Sequence, residues 1–241
     1  MNFNFRTALL AVTLGAGLAS AVSAAQAATT GSGRSVSESR TVADFTSIAV
    51  SGSIELAISQ GDKTTLQVQA DDNLLPLLET TVESGRLKIG WKRGENVNVR
   101  SSVKVTVVMP KLTALSAAGS GDLKLQTFAT PALKLSVAGS SNASLAGLST
   151  DDLGISIAGS GDVRGSGKAT KMKVSIAGSG NVKLLELKAD DVGVTIAGSG
   201  DAEVFAQKTL NISIAGSGDV AYAGDATVKS TVAGSGSVKK R

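Results

Sequence analysis

The chain is expected to be all-β, a parallel β-helix or solenoid of the single-stranded type with a less regular β region at its N-terminal side. Three observations carry this. A phrase Ala-Gly-Ser-Gly-Asp recurs, the runs on either side of it alternate apolar and polar residues, and no proline follows Pro131. The phrase is complete at Ala118–Asp122, Ala158–Asp162, Ala197–Asp201 and Ala215–Asp219, with variants at Ala138–Asn142, Ala177–Asn181 and Ala233–Ser237. The leading alanines are 20, 20, 19, 20, 18 and 18 residues apart. A period near twenty residues is that of a solenoid, each repeat one coil stacked on its neighbours. Proline cannot donate to a ladder, so its absence from the repeats fits stacked strands. The right hand is expected by analogy and from the general chirality of parallel crossovers.

Composition bounds the rest. With 241 residues, 42% of them hydrophobic, the chain can bury a core and is not of disordered type. The formal charge is +4, and +3 once the first 27 residues, which carry only Arg6, are set aside. That surplus lacks the concentrated basic stripe of a nucleic-acid binder, so no nucleic acid is expected as partner. The absence of Cys excludes a disulfide framework and a Cys-anchored lipoprotein. Residues 1–27 read as a cleaved signal peptide: Arg6 charges the start, Thr7–Ala19 is apolar or small, and Val22–Ala24 and Ala25–Ala27 offer small-x-small cleavage sites. No apolar run is long enough to span a membrane, so no transmembrane segment is expected in the mature chain. The protein is expected to be exported, and to lie in the periplasm, on the outer membrane or outside the cell. Residues 28–39, rich in Gly, Ser and Thr, are expected to form a flexible leader, and residues 40–241 one domain.

Within that domain, 40–110 is the irregular β part. Ile48 and Val50, Ile54, Leu56 and Ile58, Leu66, Val68 and Ala70, Leu87 and Ile89, and Val103, Val105 and Val107 each alternate at period two. Turns are expected at Ser51–Ser53, Gln60–Asp62 and Ser84–Gly85. Ser51–Leu56 aligns with Ser120–Leu125 as a degenerate copy of the repeated turn. Asn73–Thr80 is locally helical, with Asp71 and Asp72 offering a cap and Pro76 limiting it to about one turn. Trp91–Asn96 reads as an exposed, charged loop.

From 111 to 241 the coils follow. Leu133, Leu135 and Val137, then Leu153, Ile155 and Ile157, then Met172, Val174 and Ile176, then Val192, Val194 and Ile196, then Leu210, Ile212 and Ile214 each lead into a turn. The structural turn glycines are Gly119, Gly121, Gly159, Gly161, Gly178, Gly180, Gly198, Gly200, Gly216, Gly218, Gly234 and Gly236. Glycine reaches positive φ without steric cost and lets successive coils approach, so both glycines of each turn are expected to reverse the strand. The residue after each turn forms a row: Asp122, Asn142, Asp162, Asn181, Asp201, Asp219 and Ser237. Asn between Asp residues lowers like-charge repulsion while keeping a turn hydrogen bond. The duplicated unit is about 39 residues, two coils.

Arg40–Ile48, Ser51–Ser53, Ala70–Leu75 and the Gly-Ser-Gly-Asp coils together resemble the bacterial family called putative auto-transporter adhesin, head GIN domain. The resemblance spans Val36 to Lys239. It implies a single-stranded β-helix-like fold related in shape to pectin lyases, export, and a role in adhesion. It carries no catalytic residues across.

The chemistry the chain can perform is narrowed by its lack of His and Cys, which removes Ser-His-Asp and Cys-His triads and zinc sites built on those residues. Carboxylate doublets at Asp71-Asp72, Asp151-Asp152 and Asp190-Asp191 place neighbours on opposite faces of a strand and read as solvated edges. Asp122, Asp162, Asp201 and Asp219 are a conceivable cation row, but its period of twenty differs from the nine of calcium-binding β-rolls, and turn chemistry is the simpler role. Phe45 and Phe128 are expected in the core or at its ends, and Trp91 is either the one exposed aromatic or buried under a cap. Lys168, Lys171, Lys173, Lys183 and Lys188 could form a basic patch or a solvated face that blocks edge pairing. No catalytic residue and no cofactor are expected. The leading reading is an exported non-enzymatic solenoid that binds a surface or envelope partner, protein or polysaccharide, in adhesion. A polysaccharide lyase or hydrolase on the same scaffold, and an envelope scaffold that binds a protein partner, are the alternatives.

Overall fold

A computed structural model describes residues 28–241; the expected signal peptide lies outside the described residues. The first complete coil is β3 (Ser47–Gly52) and β4 (Ile54–Gln60), joined at a corner by Ser53. The chain then leaves the stack, builds the base beneath this coil, and returns at β10 (Ala114–Gly119) and β11 (Asp122–Leu125), which lie parallel on β3 and β4. From there each coil lies directly on the last. The order is β12 (Phe128–Gly139), β13 (Asn142–Gly159), β14 (Val163–Gly178), β15 (Val182–Gly198), β16 (Ala202–Gly216), β17 (Val220–Ala223), β18 (Thr227–Gly234) and β19 (Val238–Lys240). All pairings among β10–β19 are parallel.

The base closes the stack with antiparallel strands, as an exposed apolar coil end requires. It holds β2 (Ser35–Ser39), β5 (Thr65–Asp71), β6 (Leu78–Glu83), β7 (Arg86–Trp91) and β9 (Val103–Met109). β7 and β9 supply the parallel rung under β3 and β4, and β5, β6 and β2 fold back against them. β6 and β7 form a hairpin through Ser84 and Gly85, both at positive φ. Two strands lie within residues 28–39, which were expected to be loose: β2 pairs with β5 in this sheet, and β1 (Thr29–Thr30) pairs with β8 (Val97–Asn98) in a separate two-stranded sheet. The serines and threonines that suggested a linker are the solvent-facing half of edge strands. The local helix is a single 3-10 turn at Leu75–Leu77.

Register carries the repeat. Gly52, Gly119, Gly139, Gly159, Gly178, Gly198, Gly216 and Gly234 form one column. Gly52 therefore matches Gly119 rather than Gly121, and Leu56 matches Leu123, two residues from the alignment that sequence suggested. A slip of two leaves every side chain on its own face, so apolar alternation could not detect it. Inward positions are filled mainly by Leu, Ile and Val: Ile155, Val174, Val194 and Ile212 form one such row, each 5% exposed or less.

Candidate functional site

Each corner is bonded coil to coil. The Ser N–H of the turn donates to the Gly carbonyl one coil earlier, as from Ser160 to Gly139 (2.8 Å) and from Ser199 to Gly178 (2.9 Å). The two glycines act differently. The first sits at φ 125° to 136° in Gly119, Gly159, Gly178, Gly198, Gly216 and Gly234. The second has ordinary φ but no room: a Cβ on Gly161, Gly180, Gly200 or Gly218 would lie 2.0–2.3 Å from a backbone oxygen of the coil before. Only the first glycine thus reverses the strand; the second permits close stacking. Ser141 replaces it in one coil, buried with its hydroxyl unbonded among the described residues, and there Gly139 moves to φ 84°.

The Asp/Asn row is a hydrogen-bonded ladder between coils, not a bond within each turn. Asn142 Oδ1 accepts from Asp162 N–H (3.2 Å), Asp162 from Asn181 (3.0 Å), Asn181 from Asp201 (3.2 Å), Asp201 from Asp219 (2.9 Å) and Asp219 from Ser237 (2.8 Å). Asn142 and Asn181 also donate side-chain N–H to Asp122 and Asp162. The row is exposed along most of its length, and one oxygen of each acidic member from Asp122 to Asp219 is already engaged. Among the described residues no three acidic side chains gather as a metal site.

A broad concavity lies elsewhere on the coils. Ala129, Ser149, Lys168, Lys188 and Phe205 stand in register as one outward-facing column, Ser149 and Phe205 half-buried and the others exposed. Pro131, Asp151, Thr170 and Asp190 form a second column, two residues on. Between them runs a buried column of small residues: Thr130, Thr150, Ala169 and Ala189. The threonine hydroxyls donate to the carbonyls of Leu112 (2.9 Å) and Pro131 (3.2 Å), so the polar part of the floor is satisfied. Small side chains there let the surface dip, giving an open groove of about 730 Å³ along the solenoid axis.

The lysines divide among columns rather than forming one patch. Lys171 stands between Asp152 and Asp191, and Lys173 between Gly154 and Gly193, while Lys183 adjoins Arg164. Lys168 and Lys188 occupy adjacent rungs, about 4.8 Å apart, where two like charges repel by about 1 kcal/mol in water. Neither forms an ion pair among the described residues. The Lys188 ammonium lies 5.9 Å from the centre of the Phe205 ring. Asp190 instead meets Lys208 at 2.9 Å, and this hydrogen bond is the main reason the Lys208 pKa is raised. Phe205 was not assigned from sequence. It faces outward by alternation between buried Val204 and Ala206, and it meets Lys188 because the register of β16 on β15 shifts between Leu184–Val204 and Lys188–Phe205. The alternation was legible in sequence; the register shift that sets its neighbour was not.

Phe45 and Phe128 are in the core, as expected. Trp91 is half-buried beneath the first corner, with its indole 3.5 Å from where a Gly52 Cβ would stand; it also lines a smaller hollow of about 520 Å³. Neither Asp71 nor Asp72 caps the short helix: Asp71 is fully buried with both oxygens unbonded among the described residues. Asp72 ties down the N-terminal strand through Ser32 and Arg34, and the Ser32 hydrogen bond is foremost in lowering its pKa. No described helix is long and apolar enough to cross a membrane.

Stacked coils, an antiparallel base and an open axial groove define a β-solenoid that presents columns of side chains. Residues 44–226 match the family model described as "Putative auto-transporter adhesin, head GIN domain", and the chain belongs to that family. A crystal structure described as a putative adhesin from Bacteroides fragilis superposes with TM-score 0.84 at 24% identity, covering 88% of this chain and 100% of that one. One from Parabacteroides distasonis, described as a putative lipid binding protein, gives 0.75 at 28%, covering 89% and 100%. A putative adhesin from Parabacteroides merdae gives 0.74 at 25%, covering 88% and 98%. No match is found among curated proteins.

Proposed function

We propose that the protein is an exported, non-enzymatic solenoid that attaches to a partner at the cell surface or envelope through its groove face. The carrying observation is the axial groove, open along its length and lined by exposed side chains from successive coils. Such a surface suits an extended partner better than a small substrate, which binding sites usually enclose. Family membership supports adhesion as the setting. Deleting the protein from its producing cell is expected to reduce surface attachment; a deletion strain normal in attachment and envelope integrity would overturn the reading.

One observation favours a second reading, a polysaccharide lyase or hydrolase. Asp151 and Asp190 share the groove, two rungs or roughly 9.6 Å apart. Lys208 engages Asp190, which weakens it as an acid or base. Incubating the purified protein with acidic and neutral polysaccharides decides the matter: turnover abolished by Asp151→Asn would establish the enzyme.

A further inference from the structure

We infer that the groove holds an acidic polysaccharide laid along the solenoid axis, its carboxylates on Lys168 and Lys188 and a sugar face against Phe205. This rests on the reading of the protein as a surface-binding module. The first argument is charge. Elsewhere on the coils Lys171 stands between Asp152 and Asp191, Lys173 stands between Gly154 and Gly193, and Lys183, which adjoins Arg164, has Glu203 on its other side. In the groove two ammonium groups stand on adjacent rungs without an ion pair among the described residues. Anions spaced along a polymer would relieve that repulsion, and each would meet one lysine.

The second argument is Phe205. It is half-exposed at the end of the lysine column, outside a core that takes Phe45 and Phe128. A flat aromatic face packs on the C–H face of a pyranose, and the cation of Lys188 already lies beside it. Asp151 and Thr170 on the opposite wall can accept and donate hydrogen bonds to ring hydroxyls. The third argument concerns the backbone. The groove crosses β12 to β16, and β13, β14 and β15 pair on both sides, so no strand edge opens into it. Where β12 has no strand below it, the Gln60 side chain occupies the Ala129 N–H and carbonyl, so a peptide finds no free edge there for strand addition, its usual mode on a sheet. Recognition falls to side chains, and these suit a charged, hydroxyl-rich chain. From Ala129 to Phe205 the column crosses four rung spacings, about 19 Å, room for several sugar units.

The test is calorimetric titration of the full chain with oligogalacturonate, with cello-oligosaccharide of equal length, and with phosphatidylglycerol vesicles. Binding is expected for oligogalacturonate alone, weakening with added salt. The double variant Lys168→Ser, Lys188→Ser is expected to weaken it at least tenfold; Ser149 already occupies this column, so the melting temperature should hold. Removing the same charge from another face, by Lys134→Ser with Lys173→Ser, is expected to leave binding unchanged. Equal loss from both doubles, no uronate binding, or preference for vesicles or the neutral oligomer overturns the inference. An attachment defect on deletion without uronate binding would sink this inference and spare the proposed function. Uronate binding with normal attachment would do the reverse.

Discussion

At the scale of single residues, the corners separate two uses of glycine that sequence shows as one. Gly178 combines φ 127° with a virtual Cβ 2.4 Å from the Gly159 oxygen, whereas Gly193 has ordinary φ and nothing within 4 Å. Gly178→Ala is therefore expected to lose roughly 2–4 kcal/mol, from left-handed strain plus a backbone clash. Gly193→Ala should be neutral or gain up to about 1 kcal/mol by restricting the unfolded chain. Urea unfolding of both variants checks the contrast, and equal losses would refute the division. Ser141 gives a test of opposite sign. Its buried hydroxyl is unbonded among the described residues, which costs about 1–3 kcal/mol, so Ser141→Ala, which keeps the Cβ, is expected to raise stability by about 1 kcal/mol. The turn glycines were legible because they recur in every coil. The division of labour between them was not, because it depends on the distance to the coil below.

At the scale of elements, adjacent coils are joined at discrete points outside the sheet ladder. Glu55 on β4 takes a hydrogen bond and ion pair from Lys124 on β11, with Lys104 on β9 nearby. The Lys124 hydrogen bond is foremost in lowering the Glu55 pKa below 4.5 and the converse raises that of Lys124. A lowered carboxylate pKa adds stability that is present above the unfolded value and lost as pH falls through the folded value. Glu55→Gln should therefore cost stability at pH 7 and flatten the decline below pH 4.5, as read by melting temperature against pH; an unchanged slope would remove the pair from the account. The Asp/Asn ladder leads to a different expectation. Asp162, Asp201 and Asp219 already accept backbone N–H groups of the next coil and Asp122 accepts the Asn142 side-chain N–H, so millimolar calcium should leave the melting temperature of the metal-free protein unchanged. A rise would restore the cation row. Strand alternation made β3, β4, β5, β7, β9 and the coil strands β12 to β16 legible, but not β6, whose Leu78–Thr80 read as helix; the Asp/Asn rhythm was visible too. The partner of each side chain was hidden because it lies about twenty residues away, across a rung. The groove was hidden more deeply: Phe205 stands beside Lys188 only because the register of β16 on β15 shifts between Leu184 and Lys188.

At the scale of the molecule, a stack of coils is a sum of repeat and interface terms, so stability should grade along it rather than be uniform. The two ends are unlike. Beneath the first coil, β7 and β9 continue the parallel rungs and Leu66, Val68 and Leu78 complete the core, each 2% exposed or less. At the far end β18 pairs only with β16, its residues are exposed apart from Val228, and Val232 is 39% exposed. β13, β14 and β15, each with partners on both sides and a filled core, lie between. Opening β18 uncovers little apolar surface and breaks bonds to one neighbour; opening β14 must separate two full interfaces. Hydrogen exchange under native conditions is thus expected to be fastest in Thr227–Lys240, to slow coil by coil through β16, and to reach its slowest in β13–β15. Mass spectrometry of peptides from each coil reads that order directly. Equal protection in all coils would mean that the solenoid opens only as a whole, and that nearest-neighbour stacking is not what sets its stability.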